Sequence, residues 1–216
     1  MTDTPRIRIA INVMRARLTV VGFNIAIVSF QISDLAKMAG GMPVPGLDHA
    51  IHFRADMALF MALAFSLLSL VAFISSSAID EAGTCDHWSF IVGDLLMYLG
   101  LANTVTGFFS PLSQEFLLVA KQWPAQELPI AMFRKSIMIL GSLAWFSAIY
   151  LGPAVTLIRS PFHQRINVIL LVVYVLLLIM VFWINYQVYL FEVINTVGIT
   201  FSPIKFLYEF IQPVVW

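Results

Sequence analysis

The sequence predicts an all-α fold, a polytopic integral membrane helix bundle with about five transmembrane helices, four being the alternative count. Three observations carry this. Of 216 residues, 60% are apolar and only 11% are charged, where a soluble domain carries about 25% charged. Several stretches supply the roughly 20 apolar residues that a helix rising ~1.5 Å per residue needs to cross ~30 Å of hydrocarbon. Between them lie short segments rich in glycine, proline or charge, which break helices. The whole chain, 1–216, reads as one membrane domain.

The first span is placed at Val13 to Ser33. Arg15 and Arg17 at its start resemble a leader, but the run closes on Gln31, Ser33, Asp34 and Lys37 without a small-residue cleavage site, so it is read as a retained helix. Gly40, Gly41, Pro43, Pro45 and Gly46 then interrupt the chain, and Asp48 is a candidate N-cap for a second span, Ala55 to Ile79. The third span is Ser89 to Phe109. Ser110 and Pro111 read as the cap and first turn of a new short helix, about residues 111–123, in which Leu112, Phe116, Leu117, Ala120 and Trp123 recur at helical spacing. Such a helix would lie in the interface plane. The fourth and fifth spans are Ser136 to Ile158 and Ile166 to Tyr186. The fifth pattern continues through Tyr189 and Glu192, so this helix should project past the bilayer, with Asn185, Tyr189 and Glu192 on one face open to a partner. The tail, 198–216, pairs Lys205 with Glu209 at i,i+4 among Phe206, Leu207, Phe210 and Trp216, and should lie on the membrane or dock on a neighbour.

Stripes of small residues show which faces meet protein, because lipid gives helices no hydrophobic reason to associate. They run through Ala58, Ala62, Ser66, Ser69 and Ser76 in the second span, and through the heptad Gly93, Gly100 and Gly107 in the third. In the fourth the stripe is Gly141, Ala144, Ala148 and Gly152, ahead of a kinking Pro153. Packing within one bundle is favoured over self-association for each.

The first span carries a polar seam. Arg17, Asn24 and Gln31 lie seven apart, with Asp34 three further on. Amides in hydrocarbon must face protein or water. Copies of this helix around an axis would line a pathway with rings of these residues; the alternative, which weighs more, is that Asn24 and Gln31 bond across to Ser69, Asn103 or Thr104. Asp94, inside the third span, is a functional candidate with Tyr98 one turn on to donate to it; the alternative is a hydrated group near the interface. If the second helix begins at Asp48, then His49, His52 and Asp56 share a face and offer a weak metal or pH-sensing site; a solvated cluster is the stronger reading. Asp80, Glu81, Cys85, Asp86 and His87 form a second acidic cluster with a low prior for metal.

Net charge is zero with no basic stripe, which excludes nucleic acid as a partner. One cysteine forms no internal disulfide. His49, His52, His87 and His163 all lie at or beyond span ends, against haem held inside the bundle. No phosphate loop, nucleophile elbow or zinc-protease helix is present, no inverted repeat is evident, and no cofactor is expected. Six basic residues fall on each side of the membrane; Arg6, Arg8, Arg15 and Arg17 before the first span argue for a cytoplasmic N-terminus in a plasma or inner membrane.

The leading expectation is a homo-oligomeric channel lined by Arg17, Asn24, Gln31 and Asp34 and tuned by Asp94. The second, of another class, is a non-conducting anchor, sensor or accessory subunit that meets a protein partner through the tail or the interfacial helix. An intramembrane enzyme using Asp94 and the His49, His52 and Asp56 face ranks last.

Overall fold

A computed structural model describes residues 11–38, 40–79, 87–197, 202–214 and 216. It contains α1 (Ile11–Leu35), α2 (Phe53–Ile79), α3 (Ser89–Gln122), α4 (Glu127–Phe146), a π-helical turn (Ser147–Leu151), α5 (Gly152–Ile158), α6 (Gln164–Val197) and α7 (Pro203–Leu207), then a 3-10 segment to Val214. Five stretches, with α4 to α5 counted as one, are long and apolar enough to cross a membrane. Among the described residues no strand forms beyond one bridge, Met42 with Ile51, which closes the loop between α1 and α2. Gly40, Gly41 and Gly46 turn that loop at positive φ, a conformation that favours glycine.

The core is built on α2 and α3, and the glycine heptad explains why. A Cβ at Gly93 would come within 2.7 Å of the Phe73 ring, and one at Gly107 within 2.5 Å of Leu59. At Gly100 it would meet Ser66 at 2.8 Å and the Ala62 carbonyl at 3.3 Å. Only hydrogen fits, so the two backbones approach closely along the whole seam. The facing residues Ala58, Ala62, Ser66, Ser69 and Ser76 are buried. In the fourth span Gly141 lies against Trp216 and Phe109, Gly152 lies against the Tyr98 ring, and Ala148 is buried. Ala144 departs from the expected stripe: it is exposed, and Trp145 takes the inward position of that turn.

Three boundaries differ from the sequence expectation. The segment 111–123 is no separate interfacial helix: α3 runs unbroken through Pro111 to Gln122. Pro111 removes one backbone bond, while the rest of the helical ladder on either side of it stays paired. α2 begins at Phe53 rather than Asp48, leaving His49 and His52 in the loop. The described part of the tail folds back into the bundle, where Glu209, Gln212, Pro213 and Trp216 are buried.

The continuity of α3 has a geometric result. Its 34 residues measure ~51 Å at ~1.5 Å each, and even at a tilt of ~40° they exceed ~30 Å of hydrocarbon. Part of this helix, at one end or the other, therefore stands beyond the apolar slab.

Candidate functional site

Polar side chains concentrate at the two ends of the bundle, with isolated hydrogen bonds between them. At one end Arg17 of α1 reaches Asp94 of α3 through both Nε and Nη2, the latter at 2.7 Å. Its guanidinium also lies 4.7 Å from the centre of the Phe90 ring. Asp94 is 1% exposed and Arg17 27%, so the acid is committed to the interior while the base leads out of it. Asp94 therefore takes Arg17, not Tyr98, as its partner among the described residues.

The rest of the α1 seam also turns inward. The Asn24 amide donates to Ser66 Oγ at 2.9 Å, and Gln31 is buried with Met38 sulfur 3.8 Å from its amide nitrogen. Ser69, Asn103 and Thr104, the partners expected for them, are engaged elsewhere: Ser69 donates to the Gly93 carbonyl, and the other two donate to carbonyls one turn back in α3. Asp34 pairs with Lys37 at 2.7 Å on the surface.

At the opposite end a buried chain of groups begins at Arg54, the second residue of α2. Its Nη2 donates to both carboxylate oxygens of Glu209, at 3.1 and 3.0 Å. Gln212 donates to Glu209 at 2.7 Å, Thr106 donates to Gln212 Oε1 at 3.0 Å, and Trp145 Nε1 donates to Thr106 at 3.1 Å. One polar line thus crosses from α2 through the tail and α3 to α4. Glu192 of α6 accepts the Arg54 backbone N–H at 3.0 Å, placing a carboxylate at the positive end of the α2 dipole. Arg134 fastens the tail a second time, donating to Ser113 and to the Trp216 carbonyl at 3.0 Å.

A pocket of about 250 Å³ opens beside this cluster. Its walls are the loop 41–43 and residues His52, Arg54, Ser110, Gln114 and Glu192. The sequence reading missed Arg54, Thr106, Trp145, Glu209 and Gln212 as a unit. The signal was faint: Glu209 and Gln212, three apart in an apolar tail, share a helical face.

His49, His52 and Asp56 do border one smaller cavity, but not as one helical face. His49 is exposed, while buried His52 has Nε2 3.3 Å from the Met38 carbonyl. Among the described residues no group of three or more His, Cys, Asp or Glu side chains is arranged to hold a metal ion. Asp80, Glu81, Cys85 and Asp86 lie outside the described residues; His87 Nδ1 is 2.8 Å from Ser89 Oγ. Asn185 is buried and Tyr189 lies under Lys205, so the α6 face expected to await a partner turns toward α2 and the tail.

Compared with protein-family models, with curated proteins and with solved structures, the chain finds no match.

Proposed function

We propose that the chain is a non-conducting accessory subunit of the membrane, whose projecting α3–α4 hairpin carries the contact surface for a partner protein. The observation behind this is the hairpin tip. Trp123, Leu128, Met132 and Phe133 are 58–76% exposed there, on helices too long for the apolar slab. Large exposed apolar groups rimmed by polar ones mark interaction surfaces; here the rim is Lys121, Gln126 and Glu127.

The inward turn of the α1 seam supports the same reading. A pathway along this helix needs Arg17, Asn24 and Gln31 on the outside of the bundle, and all three contact α2, α3 or the α1–α2 loop of their own chain. What α1 offers outward is Phe23, Ile27 and Phe30, side chains suited to lipid. With the arginines before α1 kept cytoplasmic, the pocket, the tail and the hairpin tip lie on the opposite face of a plasma or inner membrane.

Two measurements test this. Protein purified in mild detergent should co-purify with a protein that the variant Trp123→Ser, Leu128→Gln, Phe133→Ser loses while keeping its thermal transition. In planar bilayers the wild type should pass no current. Conductance that changes in Asn24→Leu, Gln31→Leu would restore the homo-oligomeric channel.

A further inference from the structure

We propose that the open cavity where the turn after α5 meets the start of α6 binds a net-anionic phospholipid. Arg165 and His163 take its phosphate, and an acyl chain lies along Val168 and Ile169.

The cavity holds about 520 Å³, and its described walls are His163, Gln164, Arg165, Val168 and Ile169. Three features give it this chemistry. The first is placement. Ile158 closes the span formed by α4 and α5, and Gln164 opens the next, so the turn between them lies at the headgroup boundary. Arg165 stands at that level. Val168 and Ile169, 51% and 61% exposed, come one turn further into the slab at ~1.5 Å per residue. Polar wall and apolar wall thus follow each other in the order of headgroup and acyl chain in a lipid.

The second feature is unspent donors. Arg165 is exposed, and its guanidinium makes no hydrogen bond or ion pair among the described residues. A guanidinium presents its N–H groups as a planar fork that matches two phosphate oxygens. His163 is held by the helix it precedes: its carbonyl accepts the Asn167 N–H and its Nδ1 accepts the Arg165 N–H, both at 3.3 Å. With Nδ1 accepting, the neutral ring carries its proton on Nε2. That leaves a second donor which no described residue takes up. The anchor is these side chains rather than the backbone of the helix end, whose Arg165 amide is already spent on the His163 ring.

The third feature is charge, and it selects the headgroup. Among the described residues no carboxylate lines the cavity. A zwitterionic headgroup would bring an ammonium with nothing to answer it, whereas a net-anionic one brings only the charge that Arg165 complements. Gln164 adds an amide for the hydroxyls of a glycerol headgroup. Glycerol phospholipids should therefore be preferred to choline and ethanolamine ones.

The full chain would be incubated in detergent with equal amounts of glycerol, choline and ethanolamine phospholipids, and retained lipid read by native mass spectrometry. The wild type should keep the glycerol lipid about tenfold over the others, the scale of one charge-assisted contact. Arg165→Gln should erase that preference. Lys135→Gln, which removes another exposed cation about 35 Å along the helix from Ile158, should leave it intact. Equal retention of all three lipids, full preference in a folded Arg165→Gln, or an equal loss in Lys135→Gln overturns the proposal. Should Arg165→Gln not fold, Val168→Glu sets an acid in the same cavity at an exposed position, and undiminished preference there overturns it alone. Soluble glycerol phosphate forms the second arm. If it raises the thermal transition of wild type but not of Arg165→Gln while no lipid is retained, the lipid is overturned and a soluble phosphate ester takes its place. None of these readouts depends on whether the chain conducts or binds a protein.

Discussion

The Tyr174 hydroxyl of α6 donates to the backbone carbonyl of Ile149 at 2.7 Å. Ile149 stands four residues before Pro153, which has no N–H to return. The phenol thus replaces the missing backbone donor inside the bilayer, at the π-helical turn Ser147–Leu151 that accommodates the proline ring. Phenylalanine at 174 keeps the ring packing and orphans the carbonyl. Tyr174→Phe should cost about 1–3 kcal/mol in detergent unfolding, and Pro153→Ala in the same background should recover part of it. A Tyr174→Phe protein as stable as wild type would show that the carbonyl finds another donor.

Exposure makes the Arg17 and Asp94 pair unequal. Removing the base strands a carboxylate that is 1% exposed, whereas removing the acid frees a guanidinium already 27% exposed and able to reach the headgroups. Arg17→Met should therefore destabilise by about 3–5 kcal/mol, the scale of a broken buried pair, and Asp94→Asn by clearly less. The double variant should be more stable than Arg17→Met alone. Equal losses in the two single variants would contradict this asymmetry.

Glycines at different places should respond with opposite signs. An alanine Cβ at Gly100 would press on Ser66 and on the fixed Ala62 carbonyl, so Gly100→Ala should cost about 1–3 kcal/mol by overpacking. At Gly22 nothing lies within 4 Å, and Gly22→Ala should gain up to about 1 kcal/mol from helix propensity. Thermal transitions of the two variants, compared with wild type, decide it.

Asn24→Leu removes the donor that Ser66 Oγ accepts. Loss of one buried interhelical bridge in a membrane protein is worth ~0.6–2 kcal/mol, so a modest fall in stability is expected, with none in bilayer conductance. A changed current would put Asn24 on a pathway.

Periodicity and composition made the spans legible, because about 20 apolar residues have one common fate in a bilayer. The heptad of Gly93, Gly100 and Gly107 likewise announced a close helix contact, since absent side chains need a neighbour at that spacing. Punctuation was less legible. Ser110 and Pro111 look like a helix start in water, where a broken ladder is hydrated; inside α3 the proline is merely endured. Partnerships were least legible. Arg17 and Asp94 are 77 residues apart and Arg54 and Glu209 155, distances over which local pattern carries no information. Asn24 was correctly placed among groups needing a partner, but Ser66 rather than Ser69, Asn103 or Thr104 supplied it, because one helical turn of register decides which hydroxyl faces α1. The tail's polar residues looked like surface because nothing in the sequence marks the cleft that receives them.

The bond between Arg54 and Glu209 joins an early part of the chain to a late one, and synthesis runs in one direction. Every copy must pass through an interval in which the second span is already inserted and its guanidinium has no acid to hold. Arrival of residue 209 ends that interval, so the tail works as a closing stitch. A chain cut short before it lacks this bond, and its end of the bundle should open at a lower temperature than in the wild type.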